Sequence, residues 1–382
     1  MKYLGLFSRD LRPSRLATLL LATALLLCLG GGVAAEVPKQ QGPLPGDAKQ
    51  PALIFPSDGA YCGAFLDFGN SEDKVTLEAI EKFERMVGKH QAIIASSSFW
   101  GEMTFPSKNV SLIIRHGSIP LIFWSPWDRP YDQEKPPDRF GLEEILAGKW
   151  DAYIDQWALA AKETNVPLLV SWGLEMNGNW FPWSGCWYGG EHAGPSGQTG
   201  PELYKKAYRY VVDRVRARGA ANILWGFHAN HYTYPHDGWN RMSNYYPGPD
   251  YVDWLGLSVY GKQFADDDWA SFKNVMEEGY QELALLDEEK PILVAEFGVG
   301  EFPGEGSKAE WLSEALELLR THYTRVRAAV YWHERWANAD GTFSNLRVNS
   351  SPEALAAFRR GLSLPYWLER PQLQAKKPTH SP

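Results

Sequence analysis

The sequence predicts an α/β fold, a single-domain (β/α)8 barrel of the TIM type, on three observations. Eight short and almost wholly apolar runs recur along the chain, the pattern of strands buried on both faces. Amphipathic helical patterns lie between most of them, and alternation sustained over about 300 residues argues for a parallel barrel. The segments that follow the runs are rich in aromatic and polar side chains, and in this fold those segments build the active site.

Residues 1–35 read as an export segment outside the fold. Lys2, Arg9, Arg12 and Arg15 make a basic start, Leu16 to Leu29 an apolar stretch too short for a membrane span, and Val33-Ala34-Ala35 a small-residue cleavage site. Lipidation at Cys28 would need a smaller residue than Leu27 before it. Residues 36–55, rich in Pro, Gln, Gly and Lys, read as a flexible linker. The barrel domain spans 56–365, and 366–382 form a C-terminal tail.

Within the barrel the predicted strands are Tyr61–Phe68, Gln91–Ala95, Pro120–Trp124, Pro167–Trp172, Ile223–Phe227, Val252–Val259, Ile292–Ala295 and Val326–Tyr331. The predicted helices are Lys74–Gly88, Val110–Gly117, Leu142–Thr164, Glu202–Gly219, Trp269–Leu286 and Lys308–Tyr323, several closed by a Gly or followed by a Pro. The fifth unit breaks the rhythm, because Ala229–Asp250 is aromatic and Gly/Pro-rich where a helix is due.

Composition narrows the function. A chain that is 44% hydrophobic and 22% charged is globular, and its net charge of −8 becomes more negative once the basic N-terminus is removed. Nucleic acid and anionic membrane are thereby disfavoured as partners. The 17 Trp and 18 Tyr exceed ordinary usage, and flat indole faces suit the C–H faces of sugar rings. Export permits a disulfide between Cys62 and Cys186, although their pairing would need an unusual loop excursion.

Two stretches carry the chemistry. VPLLVSWGLEMNGNWFPWSG runs from a buried strand into Glu175, and PILVAEFGVG runs from another into Glu296. A carboxylate delivered directly after a buried strand has a charged partner or a chemical task, since its hydration is costly to lose. Two of them at the same end of a barrel are the pair that a retaining glycosidase requires. Around them lie candidate sugar contacts: Asn177, His228 and Asn230 for hydroxyls, and Trp124, Trp180, Trp183 and Trp332 for ring faces. Core packing and loop ordering are competing roles for Trp180, Trp183 and His228.

At EMNGNWFPWSG, LYKKAYRYVVDRVRARGAANILW, YYPGPDYVDWLGLSVYG, ILVAEFGV and LRVNSSPEALAAFRRGL the chain resembles glycoside hydrolase family 26, over about Gly59 to Leu362. The resemblance implies a (β/α)8 barrel acting as a retaining endo-glycanase on β-mannan or β-glucan. It aligns Glu175 with the family acid/base, Glu296 with its nucleophile, Tyr260 with the tyrosine beside the nucleophile, and Trp332 with the aromatic flooring the cleavage subsite. The chain departs from the family pattern at Leu174, Ser171, Ser258 and Ser125, where His, Arg, Asp and a Glu or His are usual.

The expected protein is a secreted or periplasmic monomer with a polysaccharide substrate and no cofactor or metal. A bacterial exopolysaccharide is a further candidate substrate. His231 and His236 lack the carboxylate spacing of a known metal site, and Asp266-Asp267-Asp268 suits the start of the next helix. Glu334 is an additional subsite candidate. The rival from another class is a glycan-binding protein that keeps the barrel without turnover.

Overall fold

Eight parallel strands close on themselves, and the closure is what gives the molecule a single face for chemistry. The computed structural model describes residues 51–70, 72–131 and 138–375. In chain order β1 is Pro51–Ile54, β2 Ala60–Leu66, β3 Ile93–Phe99, β4 Ile119–Ser125, β5 Leu168–Trp172, β6 Ile223–Asn230, β7 Trp254–Tyr260, β8 Ile292–Gly298 and β9 Val326–His333. β2 to β9 pair in sequence order, and β2 pairs with β9 from Tyr61↔Ala328 to Leu66↔His333 to complete the barrel. The eight runs read from sequence are these eight strands.

The helices are α1 Leu77–Val87, α2 Ser107–His116, α3 Leu142–Leu146, α4 Asp151–Glu163, α5 Gly200–Ala217, α6 Phe272–Leu286, α7 Lys308–Thr321 and α8 Pro352–Leu362. Their starts follow capping chemistry: Thr76, Ser271, Ser307 and Ser351 each accept a backbone N–H of the first turn, and Thr199 with Glu202 forms a capping box. α1 and α2 stop at Gly88 and Gly117, whose φ of 75° and 91° an L side chain rarely adopts. No α-helix follows β6. Three short 3-10 turns at Gly238–Asn240, Met242–Tyr245 and Pro249–Tyr251 take its place, as the aromatic composition of that unit implied.

Several boundaries differ from the expectation. Residues 1–35 and 36–50 lie outside the described residues, but the end of the expected linker is ordered: β1 pairs antiparallel with β13, Gln372–Ala375. The expected tail also holds β12, Trp367–Leu368, which pairs in parallel with the start of β2. Tyr61 ties both additions to the barrel, donating to the Ile54 carbonyl at 2.6 Å and accepting the Gln372 N–H at 2.9 Å. Trp367 is buried, so burial of an indole anchors what composition alone presents as a polar tail. The Leu142–Thr164 helix is split in two, and α8 is added. A hairpin of β10, Arg335–Ala337, and β11, Phe343–Asn345, follows β9. Cys62 and Cys186 are both free thiols.

The tryptophan excess is largely structural. Trp100, Trp157, Trp172, Trp225, Trp254 and Trp367 are fully buried in the core, where each large side chain removes much apolar area from water. No helix among the described residues is long and apolar enough to cross a membrane.

Candidate active site

Glu175 sits just past the end of β5, where the chain turns sharply through Gly173 at φ 58° and Glu175 itself at φ 53°. A left-handed backbone at a residue with a Cβ costs about 1–2 kcal/mol and persists where surrounding contacts impose it. One such contact is the Glu175 N–H, which donates to the His228 carbonyl at 2.7 Å and ties the turn to β6. The carboxylate is 3% exposed, and its Oε2 accepts the Trp180 indole N–H at 2.6 Å.

Glu296 is aimed by a different device. On β8 the registers to both neighbours shift: Leu257↔Val294 is followed by Ser258↔Glu296, and Val294↔Ala329 by Phe297↔Tyr331. One extra residue is accommodated on β8, a bulge that redirects the side chain beyond it. Glu296 Oε2 then accepts the Tyr260 hydroxyl at 2.7 Å. Burial, followed by the negative charge of Glu175, pushes the Glu296 carboxyl well above the usual carboxylate range, and the Tyr260 hydrogen bond opposes both. The Tyr260 phenol is raised in turn by burial and by Glu296, so it remains a hydrogen-bond donor.

Both carboxylates line one cleft. Tyr260, Gln263, Trp332, Glu334 and Trp336 line it together with Ser97, Phe99, Phe123, Ser125 and Tyr131. Trp332 is stacked on Phe65, ring centroids 3.7 Å apart and planes 8° from parallel, and its indole N–H donates to Glu334 Oε2 at 3.0 Å. Its aromatic face is therefore fixed in orientation.

A third carboxylate, Glu72, enters from the loop after β2. It is 5% exposed, with Oε2 accepting the Ser97 hydroxyl at 3.0 Å and Oε1 the Tyr131 hydroxyl at 2.5 Å. Glu72 thus joins the loop after β2 to β3 and to the segment after β4.

The profile of glycosyl hydrolase family 26 matches residues 142–297, the interval that contains both cleft carboxylates. Endoglucanase H of Acetivibrio thermocellus is 32% identical over 323 residues, which are 81% of this chain and 32% of that protein. Over residues 142–297 the chain is similar to glycosyl hydrolase family 26. A mannan endo-1,4-beta-mannosidase of Bacillus subtilis is 30% identical over 165 residues, 43% of this chain and 39% of that protein. The chain thus matches about a third of the length of the first relative and about two fifths of the second. The catalytic domain of the Bacillus sp. JAMB-750 endo-beta-1,4-mannanase superposes with a TM-score of 0.58 at 21% identity, over 81% of this chain and 87% of that one, a likeness of fold.

In this barrel, several expected sugar contacts have other positions. Trp124 is fully buried, stacked on Trp157 at 3.9 Å and donating to the Tyr153 hydroxyl, so it faces the helices. Strand alternation explains this, since its neighbours Phe123 and Ser125 take the cleft face. Trp183 is buried with its N–H on the Leu174 carbonyl, and Phe181, stacked on it at 4.6 Å, lines the cleft instead. Asn177 and Asn230 are fully buried loop fasteners: the Asn177 amide donates to the Asn230 carbonyl, and the Asn230 N–H donates to Asn177 Oδ1.

His228 is also enclosed. Its Nδ1 is hydrogen-bonded to Ser171 Oγ at 3.1 Å and its Nε2 to Ser258 Oγ at 2.8 Å, and burial alone lowers its pKa to about 3. Two of the departures from the family pattern, Ser171 and Ser258, are therefore partners of one neutral imidazole. A neutral ring between two hydroxyls leaves no buried charge to compensate.

Asp267 closes a turn by accepting the N–H groups of Gln263 and Phe264, and α6 starts later at its own Ser271 cap. Glu84, His90 and His116 form a cluster that composition does not reveal, before β3 and β4 and hence at the opposite end of the barrel from the cleft. The two imidazoles stack at 4.4 Å, and each is hydrogen-bonded to one oxygen of Glu84, at 3.0 and 3.1 Å. The carboxylate bridges the two rings.

Proposed function

We propose that the chain is an endo-acting glycoside hydrolase that cleaves β-linked polysaccharide of the β-mannan or β-glucan class with retention of configuration. The observation that carries the reading is the convergence of Glu175 and Glu296 in one aromatic cleft, each held by a single hydrogen-bond donor, Trp180 and Tyr260. In the reactive state Glu296 is ionised and Glu175 holds the proton. Glu296 attacks the anomeric carbon as Glu175 protonates the departing oxygen, and a glycosyl-enzyme forms. Glu175, now a carboxylate, takes a proton from water, which attacks the same carbon and releases the sugar with Glu296 free.

Trp332 supplies a fixed face for the sugar at the point of cleavage, and Glu72 and Glu334 supply acceptors for its hydroxyls. The family likeness and the endo-acting names of the relatives support the substrate class. The N-terminal pattern supports export, with action as a monomer outside the cytoplasm.

The test is a reducing-sugar assay on glucomannan, galactomannan, mixed-linkage β-glucan, β-1,3-xylan and bacterial exopolysaccharides, with Glu175→Gln and Glu296→Gln as controls. Release abolished by both substitutions, with the β-anomer formed first by proton NMR, supports retaining hydrolysis. Release of the α-anomer first would replace it with an inverting mechanism. Binding of a glycan without release, unaffected by either substitution, would leave a binding protein.

A further inference from the structure

Between β6 and the first 3-10 turn, the segment HYTYPHDGWN exposes aromatic rings from a firmly held backbone. Tyr232 and Tyr234 are 49% and 43% exposed, yet the loop that carries them is fastened at successive residues. The Tyr232 N–H donates to Asn230 Oδ1 at 2.9 Å and the Tyr234 N–H to the Asn177 carbonyl at 2.9 Å. Thr233 Oγ1 accepts from the Asn177 amide at 3.2 Å, and the Pro235 carbonyl accepts from the Asn240 amide at 3.1 Å. An exposed tyrosine on a mobile loop is ordinary; adjacent ones held in the open by buried amides mark a surface kept for contact.

Two of the rings share an orientation: Tyr232 and His236 lie 9° from parallel with centroids 6.0 Å apart, and Tyr234 lies 6.4 Å from Tyr232 at a tilt of 31°. We infer that Tyr232, Tyr234 and His236 form a stacking platform for the aglycone sugars of the bound glycan, the part of the chain that leaves with the protonated oxygen. This inference rests on the hydrolase reading and deepens it.

Position argues for that occupant. Asn177, whose carbonyl accepts the Tyr234 N–H, lies two residues beyond Glu175, so the platform's backbone is joined to that of the acid through one hydrogen bond. Glu175 delivers its proton to the oxygen on the aglycone side, so the loops after β5 and β6 face the departing chain. The cleft itself is lined from the loop after β2, from β3 and from β9, with Glu72, Ser97 and Trp332, and the platform lies beyond that lining. Pyranose rings present C–H faces that stack on aromatic rings, and a platform beyond the acid would hold an extended polymer through the cut, as internal cleavage demands.

The experiment compares the full chain with Tyr232→Ala/Tyr234→Ala and Tyr232→Phe/Tyr234→Phe. The probes are the polymer cleaved fastest by the unaltered protein and the 2,4-dinitrophenyl β-disaccharide of its sugar, which has no sugar on the leaving side. The alanine pair is expected to raise KM for the polymer about tenfold, while kcat/KM for the aryl glycoside changes less than twofold. The phenylalanine pair, which keeps both ring faces, is expected to behave as the unaltered protein. Equal losses on both probes, or no change on the polymer, would overturn the platform while leaving the hydrolase reading intact. No cleavage of either probe by the unaltered protein would remove the hydrolase reading and the platform with it.

Discussion

The Tyr260 hydroxyl lies 2.7 Å from Glu296 Oε2 and is the one donor that opposes the burial and charge lifting that carboxyl. Catalysis requires ionised Glu296, so activity is lost as pH falls through its raised pKa. The acid limb of kcat/KM is therefore expected to lie above 4.5, the ordinary Glu value. Tyr260→Phe removes stabilisation of the charged form, so the limb should move further up and kcat should fall about 10–100-fold. A pH–rate profile of both proteins checks this; an unmoved limb would separate Tyr260 from the titration.

The same carboxyl bears on stability. Its pKa in the folded protein exceeds the unfolded value, so its contribution is fully present at low pH and lost as pH rises through the folded value. At pH 7 ionised Glu296 therefore weakens the fold, and Glu296→Gln should raise Tm by about 2–4 °C. Near pH 4.5 the difference should vanish. Thermal melts at the two pH values decide it, and a Gln variant that melts lower at pH 7 would contradict the electrostatic argument.

Trp180 holds Glu175 through one N–H at 2.6 Å. Trp180→Phe keeps a ring and deletes the donor, so the acid loses its fixed orientation. Turnover of natural glycosidic bonds, which need the proton, should fall about tenfold. The kcat/KM of a 2,4-dinitrophenyl glycoside, which reports the first step and whose leaving group departs without protonation, should barely change. Equal losses on both substrates would assign Trp180 to packing.

His228 links Ser171 to Ser258 and is neutral because burial depresses its pKa to about 3. The unfolded chain takes up a proton near 6.5 and the folded one resists it, so stability falls as pH drops from 6.5 towards 3. One such histidine contributes a slope of about 1.4 kcal/mol per pH unit in that window. His231 and His333, lowered to about 4 and about 3 chiefly by burial, act in the same direction. His228→Gln, which can still bond both serines, should reduce the loss of stability between pH 7 and pH 5 measured by urea unfolding. An unchanged loss would locate the acid sensitivity elsewhere.

The sequence by itself determined the barrel and both cleft carboxylates. Apolar runs alternating with amphipathic helices admit few other architectures, and a Glu directly after such a run has no inexpensive place except a mouth lined by partners. It left open which parity of each strand faces the cleft: strands buried on both faces carry no polar alternation, so Trp124 and Ser125 were equally eligible. The same ambiguity made the tryptophans look like sugar platforms when most of them pack the core.

Tertiary structure alone decided the remainder. Glu72 meets Ser97 and Tyr131 because β2, β3 and β4 pair side by side and bring the loop after β2 beside β3 and the segment after β4. Ser171, His228 and Ser258 come from three different strands, and their mutual satisfaction is a contact that linear spacing cannot carry. The bulge that turns Glu296 towards Tyr260 depends on register with both neighbouring strands. Periodicity reports which residues leave water, because that is a property of short windows. Partnership between distant residues depends on chain closure and register, which only the folded barrel supplies.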